Sequence, residues 1–155
     1  MVLESERVRI RTLTRRDLDA LHAVWSDGEV MRHLEPPFDR AQSEAFLREA
    51  GLSEPPLIYG AVLRENGDCI GHVIFHPFEQ EDEYELGWVL RRDCWGQGFA
   101  GDLTELLIAE GKRLGLRSLV LECAPEQTAT RHLAVRYGFL PAGTSDGCLL
   151  FRKDL

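Results

Sequence analysis

A glycine-rich turn between an apolar strand and an amphipathic helix is the feature of this chain that most restricts its fold. The apolar run at 86–90 predicts a strand, and the segment 95–101 leads into a helix predicted to end near Leu114. Such a turn exposes several backbone N–H groups at the positive end of a helix, which favours a phosphate or pyrophosphate. The spacing matches neither the Gly-x-x-x-x-Gly-Lys-Ser/Thr loop nor the Gly-x-Gly-x-x-Gly loop. The turn therefore predicts phosphate binding in a different fold.

Length and charge narrow the class of protein. The 155 residues suffice for one domain, 1–155, with its own core. A formal net charge of −8 and the lack of a Lys/Arg-rich run argue against a nucleic-acid partner. No apolar run approaches the ~18 residues of a membrane span, and the N-terminus lacks the apolar block of a signal peptide. We therefore expect a cytoplasmic protein with no membrane partner. Reduced thiols are expected for Cys69, Cys94, Cys123 and Cys148, which have no paired spacing.

The apolar periodicity predicts an α+β fold with a mixed sheet. Helices are predicted over 15–27, 39–51, 99–114 and 127–137. Strands are predicted over 8–13, 57–63, 69–75, 84–90 and 119–123, with short closing strands near 140 and over 148–152. The strand–helix–strand unit from 84 to 123 requires a parallel pair with a right-handed crossover. This places the glycine turn at the carboxyl end of a central strand, where such sheets bind ligands.

Three sequence blocks, taken in order, resemble a known family. The first block is DGEVMRHL at 27–34, followed by Pro-Pro and a helix; the second joins ELGWVL at 85–90 to WGQGFA at 95–100; the third is RHLAVRYGF at 131–139. On these blocks the chain resembles the GNAT N-acetyltransferase superfamily, and more narrowly its ribosomal-protein-alanine acetyltransferase (RimJ/RimL-like) branch. The resemblance covers nearly the whole chain. It implies a mostly antiparallel mixed sheet of about six to seven strands with a splayed parallel pair, flanked by about four helices.

The resemblance implies acetyl-CoA as the acyl donor and a primary amine as the acceptor. The family's phosphate loop, Gln/Arg-x-x-Gly-x-Gly/Ala, corresponds to 95–100, where Trp95 departs from the motif with an aromatic residue that this branch tolerates. The residues expected to contact coenzyme A are Trp88, Val89 and Leu90 through the main chain, Trp95, Gly96, Gln97, Gly98, Phe99, Ala100 and Gly101 in the turn, and Gln127 and Thr130 on the last helix. Gln127 and Thr130 stand where the branch has Asn and Ser, so an amide and a hydroxyl are retained.

Amine acetylation needs removal of the ammonium proton, stabilisation of an oxyanion and departure of a thiolate. A free amine attacks directly, so no covalent enzyme intermediate is required. The candidate bases are Glu85 and Glu122, for which the alternatives are a solvated strand residue and a structural partner of an arginine or backbone group, respectively. Thr130 is the first candidate for protonating the thiolate. Tyr137 is the second, because Ala134 occupies the position of the usual family tyrosine.

The sequence contains less information about the part of the site that would bind the amine acceptor. Five residues are expected to line it in this fold: Trp25, Met31, His33, Glu35 and Phe38. They do not distinguish a peptide N-terminus from a small-molecule amine. A backbone N–H near Val89 is the expected oxyanion donor. His72 and His76 lack a third ligand at metal-binding spacing, so no metal is expected.

Two other functions remain open at this level. The vacant tyrosine position is compatible with a non-catalytic acyl-CoA-binding or sensory domain that has kept the phosphate loop. A different nucleotide-phosphate enzyme would require ATP or NAD to bind in preference to coenzyme A, and the missing P-loop lysine argues against it. Both a monomer and a homodimer are compatible with the sequence.

Overall fold

One eight-stranded sheet organises the molecule, and the computed structural model describes the whole chain from Met1 to Leu155. The strand order is β1-β2-β3-β4-β5-β6-β8-β7. The strands are β1 (Val2–Glu4), β2 (Val8–Arg11), β3 (Ile58–Leu63), β4 (Cys69–Phe78), β5 (Gln80–Leu90), β6 (Ser118–Cys123), β7 (Leu140–Ser145) and β8 (Cys148–Asp154). Only β5 and β6 pair in parallel. The predicted mixed, mostly antiparallel sheet is confirmed, with eight strands instead of six or seven.

Five α-helices flank the sheet. They are α1 (Leu18–Trp25), α2 (Gly28–Met31), α3 (Arg40–Phe46), α4 (Phe99–Arg113) and α5 (Thr128–Arg136). Short 3₁₀ turns occupy Arg15–Asp17 and Arg92–Cys94, and a π-helical turn, Leu47–Gly51, extends α3. Thr14 and Asp39 cap the helical segments that follow them, since each forms a reciprocal capping box with the residue three positions later. No helix combines the length and the apolar character needed to cross a bilayer.

The sheet separates two hydrophobic cores. The larger one, of 17 buried residues, lies between the sheet and helices α4 and α5 and includes Leu103, Leu107 and Ala134. The smaller one, of 12 buried residues, lies on the opposite face beneath α1 and α2 and includes Trp25 and Val30. Because side chains alternate along a strand, β5 contributes Leu86 and Leu90 to the first core and Val89 to the second. The two faces of the sheet thus carry different sets of helices.

A buried carboxylate joins three strands at the start of the parallel pair. Glu83 on β5 accepts a hydrogen bond of 2.6 Å from the Ser118 hydroxyl on β6 and one of 2.8 Å from Nε of Arg152 on β8. The Glu83 side chain is only 4% exposed. Burial alone would raise the pKa of Glu83, but the hydrogen bonds from Arg152 and Ser118 outweigh it and hold the pKa below its ordinary value. This network fixes the strands next to the site described below.

Candidate functional site

The glycine turn presents an uninterrupted row of free backbone donors. Gly98 is the N-cap of α4 with a left-handed φ of 85°, and Gly96 has a φ of 72°. The Trp95 N–H donates to the Arg92 carbonyl at 3.1 Å, and the next N–H with a backbone acceptor is that of Asp102, which donates to the Gly98 carbonyl at 3.1 Å. The N–H groups of the preceding residues, 96–101, have no acceptor within the protein. Six consecutive unpaired donors at the positive end of a 15-residue helix have the chemistry that favours an anion.

Arg7 supports this turn, although no local sequence pattern indicates it. Its Nη1 donates to the Gln97 carbonyl at 2.8 Å, and its Nε donates to the Asp102 carboxylate at 2.8 Å. The guanidinium carbon also lies 4.6 Å from the centre of the Phe99 ring. Arg7 therefore holds the turn to the start of α4 and places a positive charge beside the free donors.

The parallel strands separate immediately beside this turn. Strands β5 and β6 are in register only from Glu83 opposite Ser118 to Glu85 opposite Val120. Beyond that point β5 continues to Leu90, and β6 continues to Cys123, without pairing to each other. The structure therefore contains the splayed pair that the family resemblance implied, and it opens after Val120.

The hydrogen-bonding ladder shows which β5 groups face the opening. The Arg91 N–H donates to the Ile70 carbonyl of β4 at 2.7 Å. Antiparallel pairing alternates, so the Val89 N–H also points toward β4, while the N–H groups of Trp88 and Leu90 point into the splay. The Leu90 carbonyl is already used, because it accepts a hydrogen bond of 2.9 Å from the Trp95 indole. Among the backbone groups near Val89, the Trp88 and Leu90 amides are thus the available donors.

A cleft of about 820 Å³ connects the turn, the splayed strands, α2 and α5. Of the residues predicted to contact coenzyme A, eleven line it: Trp88, Val89, Leu90, Trp95, Gly96, Gly98, Phe99, Ala100, Gly101, Gln127 and Thr130. Gln97 does not, because its side-chain amide is turned away and donates to the Asp93 carbonyl at 2.8 Å. Lining residues that the sequence did not indicate include Arg7, Glu29, Leu133 and Arg136.

Helix α5 contributes one wall of the cleft through the predicted Thr130. The Gln127 side-chain oxygen accepts a hydrogen bond of 2.7 Å from the Ala124 N–H and so closes the loop between β6 and α5. Ala134 is fully buried in the larger core, so the vacant tyrosine position is filled by packing. The Tyr137 hydroxyl donates to Glu105 of α4 at 2.8 Å. Tyr137 is therefore held against α4, and both Thr130 and Tyr137 line the cleft.

Gly101 makes the close packing of Tyr137 against α4 feasible. A Cβ atom at Gly101 would lie 2.9 Å from the Tyr137 hydroxyl oxygen. The cleft wall therefore depends on a residue without a side chain at this position.

The two candidate bases lie outside the lining of this cleft, on the opposite face of the sheet from α4 and α5. Glu85 is the last β5 residue in register with β6, and its carboxylate is 3.2 Å from Nε2 of His76 on β4. Glu122 is exposed and interacts with the Cys148 thiol, whose pKa is raised first by burial and then by this carboxylate. Glu85 is the more enclosed of the two carboxylates, with a side chain 20% exposed.

The residues expected on the acceptor side divide into two groups. Trp25 and Met31 are buried in the smaller core, and Phe38 packs edge-on against Trp25. Glu35 is exposed and does not line the cleft, whereas His33 does, together with its neighbour Leu34. Only His33 of the five is thus placed to meet a ligand in the cleft.

The cysteines form no disulfide bonds, and the cysteines and histidines are not grouped as metal ligands. All four cysteines are free thiols, and burial raises the pKa of Cys94, the one that lines the cleft. No three His, Cys, Asp or Glu side chains lie close enough together to hold a metal ion. The indole N–H of Trp25 donates to Nδ1 of His72 at 3.1 Å, which requires an unprotonated nitrogen at that position.

His72 is expected to make the fold sensitive to acid. Burial lowers its pKa from 6.5 to about 4, so the unfolded chain binds this proton more readily than the folded one. Stability is therefore lost as pH falls from 6.5 to 4, by about 3 kcal/mol from this group. Urea unfolding at pH 7 and pH 4.5 measures the effect. His72→Gln, which still accepts from Trp25, should lose less stability between these pH values than the wild type, and the exposed His132→Gln should match the wild type. Equal losses in the wild type and His72→Gln would contradict the assignment.

Comparison with known proteins agrees with this geometry. The family model for the acetyltransferase (GNAT) domain matches residues 7–140. The chain belongs to the GNAT acetyltransferase family. This membership establishes N-acetyltransferase as its enzyme class.

Relatives of this GNAT protein match it over nearly its full length. The uncharacterized N-acetyltransferase YnaD of Bacillus subtilis is 24% identical and covers 96% of this chain and 88% of its own. The uncharacterized N-acetyltransferase p20 of Bacillus licheniformis is 29% identical, and the match covers 91% of this chain and 83% of that protein. A GNAT-family acetyltransferase structure from Bacillus anthracis has a TM-score of 0.90 at 22% identity, covering 99% of this chain and 98% of that one. These structural similarities concern the fold.

Proposed function

We propose that this protein transfers the acetyl group of acetyl-CoA to a primary amine, either a protein N-terminus or a small molecule, by direct attack. The observation that carries the proposal is the row of six unpaired N–H groups at 96–101 beside a splayed strand pair. The first feature suits a pyrophosphate, and the second leaves backbone groups free for the amides of a pantetheine arm. A single ligand that spans both features has the chemistry of coenzyme A.

The binding residues follow from this arrangement. The pyrophosphate would accept from the turn amides between Gly96 and Gly101, with Arg7 supplying the nearby charge. The pantetheine amides would bond to the backbone of Trp88 and Leu90 in the manner of an added strand. Gln127 and Thr130 would line the side of the pantetheine arm that faces α5.

The chemistry assigns separate tasks to the residues around the splay. The thioester supplies an activated acyl group, so the protein has to orient it, remove the amine proton and accommodate charge on oxygen. The Trp88 or Leu90 N–H would donate to that oxygen, and the Thr130 hydroxyl would donate to the departing sulfur. Glu85 and Glu122 are the proposed proton acceptors, with Glu85 preferred because it is more enclosed and lies at the apex of the splay.

The acceptor entrance favours a cationic group. Glu29 and His33 line the cleft on the α2 side, and the protein carries a formal net charge of −8. The three sequence blocks favour the RimJ/RimL-like branch, so a peptide carrying a free N-terminus is the first acceptor to test. A cytoplasmic location is part of the same proposal.

A thiol-release assay with acetyl-CoA and a panel of amines tests the function. The panel contains peptides with free N-termini, the same peptides with acetylated N-termini, polyamines and amino acids. We expect release of coenzyme A with at least one free amine and with none of the blocked peptides. Calorimetry with acetyl-CoA, ATP and NAD in parallel should show binding of acetyl-CoA alone. Binding of acetyl-CoA without turnover of any amine would instead indicate an acyl-CoA-binding domain.

A further inference from the structure

A histidine–carboxylate pair stands at the apex of the splayed strands. Residues His76 on β4 and Glu85 on β5 are direct cross-strand partners. Nε2 of His76 lies 3.2 Å from Oε2 of Glu85, and Nδ1 lies 2.9 Å from the Pro77 carbonyl oxygen. Both side chains are partly accessible, at 24% for the imidazole and 20% for the carboxylate. The pair is thus fixed in orientation while remaining in reach of water.

The other charged groups beside the pair on this face are Glu83, two residues earlier on β5, and Arg152, the β8 partner of Val120, and these two form an ion pair with each other. The β6 residue opposite Glu85 is the apolar Val120. On its other edge, β4 runs beside the apolar segment 57–58. The nearest other carboxylate along this face of β6 is Glu122, which is exposed and interacts with the Cys148 thiol. Glu85 is therefore the charged group that faces the His76 ring.

The hydrogen-bonding geometry sets the protonation states that are available. A carbonyl oxygen can only accept, so the Pro77 carbonyl requires a proton on Nδ1 of His76. In the neutral ring, Nε2 is then unprotonated and faces the Glu85 carboxylate. One additional proton on Nε2 satisfies both contacts at once. The pair consequently has a vacant position for one proton, located between the two side chains.

We propose that His76 is a positioning residue that stores the proton removed from the acceptor amine. Glu85 takes that proton through water and passes it to Nε2 of neutral His76. The N–H bond of the ammonium breaks, an N–H bond forms on the imidazole, and the positive charge moves from the substrate to the ring. Glu85 ends the step as a carboxylate, and the exposed edge of His76 returns the proton to solvent.

The energetics favour a pair over a lone carboxylate. An ordinary glutamate has a pKa of about 4.3, more than about three units below the ~7.7–8.0 of an α-amine, so transfer to it alone is unfavourable. The hydrogen bond to Glu85 raises the pKa of His76, against an opposing effect of burial and with help from the Pro77 carbonyl. Its proton affinity therefore moves toward that of the amine, which is the condition for efficient general base catalysis near neutral pH.

The first test measures the pair without any cosubstrate. Nuclear magnetic resonance of protein labelled in its histidine rings gives the pKa of each of the five histidines, and His76→Gln identifies the His76 signal. We expect Glu85→Gln to lower the pKa of His76 and the neighbouring Glu122→Gln to leave it unchanged. An unchanged pKa of His76 in Glu85→Gln would overturn the proposal.

The second test separates proton storage from a merely structural role. With acetyl-CoA and a turned-over amine, His76→Gln should reduce kcat/KM by about a hundredfold, leave the KM for acetyl-CoA intact and shift the ascending limb of the pH profile to lower pH. His132→Gln, on the exposed side of α5, is the matched control. An unshifted limb in His76→Gln would overturn the proposal.

The two tests also distinguish this inference from the proposed function on which it rests. Normal acetyl transfer by the wild type, combined with no coupling between His76 and Glu85, would reject the storage role alone. Absence of turnover with every amine would reject the proposed function and, with it, the storage role.

Discussion

Replacing Gly98 with valine is expected to reduce the affinity for acetyl-CoA by at least about a hundredfold. Gly98 has a φ of 85°, and this left-handed conformation costs a β-branched residue about 1–2 kcal/mol. In addition, a Cβ atom at this position would lie 3.0 Å from Nη2 of Arg7. The turn would have to rearrange, which separates the N–H groups at 96–101. Loss of only two charge-assisted hydrogen bonds costs about 3 kcal/mol or more, which corresponds to two powers of ten in affinity. Isothermal titration calorimetry with acetyl-CoA measures the change.

The same helix provides a control for backbone strain. Gly115 follows the C-terminal end of α4 and has a φ of 73°, and a Cβ atom there would have no neighbouring atom within 4 Å. Gly115→Val therefore introduces comparable strain far from the cleft. It should lose stability but keep the affinity of the wild type. Wild-type affinity in a folded Gly98→Val protein would show that the turn does not hold the phosphates.

Removal of the buried Glu83 carboxylate is expected to produce the largest loss of stability among the site's supporting residues. Glu83→Ala leaves the fully buried Ser118 hydroxyl without its acceptor and deprives Arg152 of its partner. Because the Arg152 side chain is 39% exposed and regains water, we expect a cost of about 3 kcal/mol, at the lower limit for breaking a buried pair. For a chain of this length the melting temperature should fall by roughly 6–12 °C.

Calorimetric melting of Glu83→Ala beside Glu81→Ala measures this effect. Glu81 lies two residues earlier on the same strand, is exposed, and serves as the matched control with an expected change near zero. The pKa of Glu83 is lowered in the folded state, so its stabilisation is present above the ordinary glutamate pKa and is lost as pH falls through the lowered value. The difference between the two variants should shrink accordingly in acid. Equal melting temperatures at neutral pH would show that the network does not stabilise the strands.

Local sequence signals predict the parts of the fold that depend on neighbouring residues. The glycine turn, the capping boxes at Thr14 and Asp39 and helix α4 are predictable, because each is determined within a few positions of chain. Helix α2 is not, since its four residues are too few to display a helical period. Strand β1, with three residues, is too short for the same reason.

Features that depend on distant residues escape such prediction. The acidic stretch before Tyr84 resembles a solvated loop, yet β5 begins at Gln80, and Glu83 is buried because Arg152 comes from the far end of the chain. Arg7 contacts Gln97 across 90 positions, with no local pattern to indicate it. Trp25 is expected near the acceptor from the sequence, but packing against Phe38, Phe46 and His72 encloses it.

The short parallel register has a mechanical consequence for the whole molecule. Five strands lie on one side of the β5–β6 junction and three on the other, and only three residue pairs in register join them. The sheet therefore consists of two halves that are joined over a short stretch, and the rest of the boundary between β5 and β6 is open to a ligand. A ligand hydrogen-bonded to the open edges of both β5 and β6 would bridge these strands and stiffen the connection between the two halves of the sheet. Its binding would then increase the stability of strands that do not contact it and that lie far from the reacting atoms.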